Sequence, residues 1–62
     1  MKAKISKTSV TFTNISNENL LDDIVCNSIH SKCSYEQFNH STKVVVSGNE
    51  KQIKDFIEAY NS

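Results

Sequence analysis

The sequence predicts an α+β chain: a two-layer sandwich of order βαββα, in which two helices cover one face of a small, mainly antiparallel sheet. In SVTFT, residues 9–13, apolar and hydroxyl side chains alternate, and the triplet Val44, Val45, Val46 stands between a polar stretch and Gly48, which is how strands read. Leu20, Leu21, Ile24, Val25 and Ile29 recur at helical spacing, as do Ile53, Phe56, Ile57 and Tyr60. Each of these segments has one apolar face, and one side of a single sheet can bury both.

The first strand presents a phase problem. In AKISKTSVTFTNIS, Ala3 and Ile5 are odd whereas Val10 and Phe12 are even, so one uninterrupted strand cannot turn all four to the same face. Either a bulge near Lys7 interrupts one long strand, or residues 2–6 fold back on residues 8–14 as a separate strand. No glycine or Asn-Gly pair is present for a tight two-residue turn, so the bulged strand is the expectation.

Ser16 then offers a helix N-cap, with Ile15 before it and Leu20 after it as a hydrophobic staple. The spacing predicts a helix over 17–31, with Glu18, Asp22 and Asp23 in its N-terminal half and Lys32 near its end, as the helix dipole favours. In CSYEQFNHSTKVVVSG, Tyr35, Phe38 and the valines flank the polar residues 39–42, which reads as a hairpin with a four- or five-residue loop. Asn49, with Gln52 three residues on, opens the second helix as a capping box, and its charged i,i+4 pairs read as a solvated face.

If the crossover from the first strand to the second leaves a gap, the third strand fills it antiparallel to both. This topology resembles a ferredoxin-like arrangement lacking the last strand.

A chain of 62 residues makes one domain, 1–62, and buries only about 60% of the surface its unfolded form exposes. Seven lysines balance seven carboxylates, and there is no arginine. The bidentate fork that grips phosphate is therefore missing, and so is the negative excess of a DNA mimic. No apolar run approaches the roughly 18 residues of a membrane span, and no secretion signal opens the chain, so a cytoplasmic protein is expected. Seven asparagines and nine serines without arginine or proline suggest an AT-rich coding sequence, as in a low-GC bacterium or its phage or plasmid.

The stretch CNSIHSKC, residues 26–33, with His40 beyond it, is the one place that looks like chemistry. Helical Cys26 and Cys33 would stand about 10 Å apart, too far for a disulfide. Cys26, His30, Cys33 and His40 have the ligand count for zinc, but their spacing matches no zinc pattern with a close CxxC knuckle. Reactive thiolates need electropositive surroundings, whereas Asp22 and Asp23 lie one turn from Cys26. An anion at the helix start beside Gly48 rests on one glycine. The expectation is no catalytic residue, no metal and no cofactor.

The uncovered sheet face remains. With Val10, Phe12, Phe38, Val44 and Val46 turned inward, Thr11, Thr13, Tyr35 and Val45 would face out as a partner-binding surface. The expected function is a small non-enzymatic protein-interaction module, an inhibitor or regulator carried by a phage or other mobile element. The alternative is a single-stranded nucleic-acid binder using Lys2, Lys4, Lys7, Lys43 and Tyr35. The unpaired edge of the first strand, from Thr8 to Asn14, would also invite a second copy, giving a homodimer.

Overall fold

The computed structural model describes residues 1–62, along which six elements follow one another: β1 (Lys2–Ile5), β2 (Ser9–Thr13), α1 (Glu18–His30), β3 (Ser34–Phe38), β4 (Lys43–Ser47) and α2 (Glu50–Asn61). The four strands form one sheet in the order β1-β2-β4-β3, with every neighbouring pair antiparallel. This is the α+β sandwich expected, and β4 fills the gap between β2 and β3 as anticipated.

The expected bulged strand is instead a hairpin, so the order is ββαββα. Ala3 lies opposite Phe12 and Ile5 opposite Val10. In this register odd residues face even ones, so the change of parity that ruled out a single flat strand is what the hairpin requires. The turn needs no glycine because none of its residues takes a positive φ. Its closure comes from serines: the Ser6 amide donates to the Ser9 carbonyl at 2.8 Å, and the two hydroxyls share a hydrogen bond of 2.8 Å.

The N-cap of α1 is Asn17, one residue later than expected; its Oδ1 accepts from the Leu20 amide at 2.9 Å. The helix ends in a Schellman motif, with the Cys33 amide donating to Ser28 O and the Lys32 amide to Ile29 O. Lys32 takes the left-handed position, φ 60°, that glycine usually fills. The capping box of α2 is present as expected, since Asn49 Oδ1 accepts from the Gln52 amide and Gln52 Oε1 from the Asn49 amide, both at 2.8 Å.

Between the layers lie Val10, Phe12, Ile15, Ile24, Cys33, Val44, Val46, Ile53 and Phe56. Phe12, Phe56 and Tyr60 form an aromatic cluster with ring centroids 5.4–6.0 Å apart. Ile29, read as part of the apolar face of α1, is 62% exposed. Five residues after Ile24 it has rotated by about 140°, whereas Ser28, four residues on, stays on the buried side. Ser28 is fully buried and returns its hydroxyl to Ile24 O at 2.7 Å.

Strand β3 is turned over relative to expectation. Tyr35 lies opposite Val46 and Gln37 opposite Val44, so Tyr35 faces the helices and packs against the core. Phe38 lies opposite Lys43 on the other face and is 41% exposed. Tyr35 and Phe38 differ in parity, so only one of them can point inward. The Schellman turn decides which: it buries Cys33, and alternation then carries Tyr35 in and Phe38 out.

Candidate partner-binding surface

Both helices lie on one side of the sheet, which leaves the other side open. The register sets its rows: Ser9 and Ser34 flank Ser47; Lys4, Thr11, Val45 and Glu36 run across all four strands; Lys2 stands opposite Thr13 and Phe38 opposite Lys43. Hydroxyl groups and lysines dominate this face, and Val45 is half-buried at its middle.

The neutral chain is strongly polarised. Of its seven carboxylates, Glu18, Asp22, Asp23, Glu50, Asp55 and Glu58 all lie on the two helices, accompanied there only by Lys51 and Lys54. The strands carry Lys2, Lys4 and Lys43 against the single Glu36. A net charge of zero therefore hides a basic sheet face backed by an acidic helical layer, a charge dipole across the molecule. Lys43 Nζ lies 5.7 Å from the centre of the exposed Phe38 ring, within cation–π range.

Of the residues expected to contact a partner, Thr11, Thr13 and Val45 share this open face. Tyr35 does not; it belongs to the core side, and Phe38 is the aromatic residue that replaces it. Lys2, Lys4 and Lys43 gather on the same face, while Lys7 sits in the β1–β2 turn. The charge segregation was readable in the sequence once helices and strands were assigned, because all but one acidic residue falls within a helix.

The cysteines and histidines go separate ways. Cys26 is exposed on α1, and Cys33 is buried, its thiol 3.5 Å from the Gln52 carbonyl oxygen. His30 ends α1, and His40 lies in the β3–β4 loop. No group of three or more His, Cys, Asp or Glu side chains comes together where it could hold a metal ion. Burial first, and the nearby Asp55 carboxylate second, push the Cys33 thiol above its ordinary pKa, opposite to what a nucleophile needs.

The unexpected run of left-handed residues in the β3–β4 loop, Asn39, His40 and Ser41 with φ of 53–69°, is pinned by Thr42 Oγ1 donating to Asn39 O at 2.7 Å and Ser41 Oγ to Gln37 Oε1 at 2.8 Å. The start of α2 is filled by its own capping box. A β-carbon on Gly48 would stand 2.6 Å from Gln52 Oε1, so any larger residue there would push the capping side chain aside. The largest concavity, about 700 Å³, lies between the end of α1 and α2 and is lined by ten residues, only one of them hydrophobic, unlike the mostly apolar lining of small-molecule sites. No helix is long and apolar enough to cross a membrane.

No protein-family model matches the chain, and neither a curated protein nor a solved structure is detectably similar to it.

Proposed function

We propose that this chain is a non-enzymatic protein-interaction module that binds an acidic partner through the open face of its sheet and inhibits or regulates that partner by covering its surface. The observation that carries this reading is the segregation of charge, with Lys2, Lys4 and Lys43 on the uncovered face and six carboxylates on the helices behind it. Thr11, Thr13 and Val45 supply short, rigid contact side chains at its centre. The non-enzymatic half of the reading is supported by the burial of Cys33 in the core, which raises its thiol pKa, the direction opposite to that of a reactive thiolate. Two free cysteines accord with a reducing cytoplasm, and the arginine-free, asparagine-rich composition accords with a phage or mobile-element product.

Capture from native lysate on immobilised protein tests the reading, with the Lys43→Glu, Val45→Glu double variant as the control. The unmodified protein should retain a protein that elutes as salt rises, and the variant should lose it. Equal retention by both, or by neither, would overturn the reading.

Single-stranded nucleic acid is the second reading. It is favoured by Phe38, an exposed ring beside Lys43 on the face that also carries Lys2 and Lys4. Here the readout is an oligonucleotide titration: affinity should fall steeply with salt and weaken in Phe38→Ala. Self-association, also expected from the sequence, is constrained by the hairpin: residues 8–14 are already paired with β1, and the free edges are those of β1 and β3.

A further inference from the structure

We infer that β1 is a docking edge for an extended acidic strand, one that alternates carboxylate and aliphatic side chains and adds itself to the sheet as a fifth strand. The inference rests on the reading of the chain as a protein-binding module and places the contact at one edge of the sheet.

The backbone comes first. Ser6 N–H donates to Ser9 O, which makes Ser6 and Ser9 a hydrogen-bonded pair. Alternation along an antiparallel ladder then assigns Lys4 with Thr11 and Lys2 with Thr13 to the same class. The N–H and C=O groups of Ala3 and Ile5 are left turned outward, away from β2. Strand β1 ends the sheet, and all four of its residues are exposed. This is an unpaired template for main-chain hydrogen bonding, the device by which β-addition modules take up peptides.

The two sides of that edge differ in chemistry. On the open side stand Lys2 and Lys4, with no acidic residue on the strand. On the helix side, where α2 stops short of covering β1, Ala3 and Ile5 share an apolar groove with Phe12, Ile57 and Tyr60. Its volume is about 110 Å³, several times the roughly 30 Å³ share of a liquid water. Ile5 is 60% exposed at its mouth. Side chains of an added strand alternate between these two sides, so the complementary sequence alternates carboxylates, set against Lys2 and Lys4, with aliphatic residues, set over Ile5 and the groove. A second copy is the poorer occupant, because pairing β1 with β1 would put lysines opposite lysines on the open side.

The probe is a capped seven-residue peptide alternating glutamate with valine, titrated into isotopically labelled protein at neutral pH. Binding should shift the Ala3 and Ile5 amide resonances most and give contacts from its valines to Ile5 and Tyr60. The same peptide with lysine in place of glutamate should not bind. Ala3→Pro removes an outward N–H at an edge position where proline is tolerated and should weaken the peptide about ten-fold or more. Lys2→Glu with Lys4→Glu, both exposed, should exchange the preference from the glutamate peptide to the lysine peptide whatever proline does to folding. No binding at millimolar peptide, equal binding of both peptides, or shifts centred on β3 would overturn the inference. Retention of a captured native partner by Ala3→Pro and by the charge-exchanged variant, with loss in the Lys43→Glu, Val45→Glu variant, would overturn the edge while leaving the module reading intact. A protein whose sedimentation shows edge-paired dimers instead would assign β1 to a second copy.

Discussion

The side-chain amide of Gln52 donates through Nε2 to the backbone oxygen of Lys32 at 3.1 Å, joining the start of α2 to the turn that ends α1. The same side chain accepts from the Asn49 amide through Oε1, and the Gln52 carbonyl oxygen receives the Cys33 thiol. One residue thus closes a capping box and ties the two helices together. Gln52→Ala should cost about 1–2 kcal/mol, the usual range for losing a cap and an exposed side-chain hydrogen bond. Gln52→Glu keeps the acceptor for Asn49 and suits the helix dipole but cannot donate to Lys32, so it should recover only part of that loss. Urea midpoints of the two variants check the difference.

Lys32 holds a left-handed backbone, φ 60°, without the freedom of glycine. The conformation costs a side-chain-bearing residue about 1–2 kcal/mol, and glycine gives back about 0.5–1 kcal/mol of that in unfolded-chain entropy. Lys32→Gly should therefore raise stability by a few tenths to about 1 kcal/mol. A lowered midpoint in chemical denaturation would show that the lysine side chain has a role beyond occupying the turn.

The turned-over β3 strand makes its own prediction. Tyr35 packs against the core, and Phe38 stands on the open face, so Tyr35→Ala should be the more destabilising of the two truncations. A half-buried aromatic lost from the core side is expected to cost about 2–3 kcal/mol, with Phe38→Ala within about 1 kcal/mol of the unmodified protein. Thermal melts of the pair give the order, and a reversed order would mean that the strand register is wrong.

Most of the fold could be read in the sequence, because both helices and the pairing of β4 between β2 and β3 follow from apolar periodicity and caps. Three features escaped it for identifiable reasons. Ser6, Lys7 and Thr8 carry no turn signature, since the turn is closed by serine side chains and not by glycine. The inward choice between Tyr35 and Phe38 is set by a Schellman turn built on Lys32, a residue that does not advertise a left-handed backbone. Ile29 is apolar but five residues from Ile24, and the surface tolerates an exposed isoleucine. The candidate surface was legible in its threonines, Val45 and lysines. Its aromatic member was not, because that depended on the β3 register. Because the first strand is a hairpin, the Thr11 amide belongs to a hydrogen-bonded pair with Lys4, so Thr11→Pro should loosen β1 from the sheet.

Ser31 caps α1 with its hydroxyl buried and without a hydrogen-bond partner. An orphaned buried hydroxyl is a desolvation cost with no return. Ser31→Ala keeps the backbone amide bond to Asn27 O and removes the orphan, so it should be neutral or stabilising by up to about 1 kcal/mol. A clear destabilisation in urea would reveal a partner for the hydroxyl in solution.

Cys33 gives the chain a pH dependence whose sign follows from its environment. Burial, then Asp55, raises the folded thiol above its ordinary value, whereas in the unfolded chain it ionises near the reference value of about 8.5. Below that pH both states hold the proton and the contribution to stability is fully present. As pH rises from the unfolded toward the folded pKa, the unfolded state loses its proton first, so stability falls across that window. Tyr60 is raised for the same leading reason, burial, with Asp23 second, and adds a fall of the same sign at higher pH. The unmodified protein should lose stability from about pH 8.5 upward more steeply than Cys33→Ala, even though the variant starts lower for the cavity it leaves. Thiol labelling at neutral pH supplies the companion measurement: exposed Cys26 should react at once and buried Cys33 only through opening of the structure. Equal slopes with pH in the two proteins, together with equally fast labelling at both positions, would place the Cys33 thiol in water and remove this account.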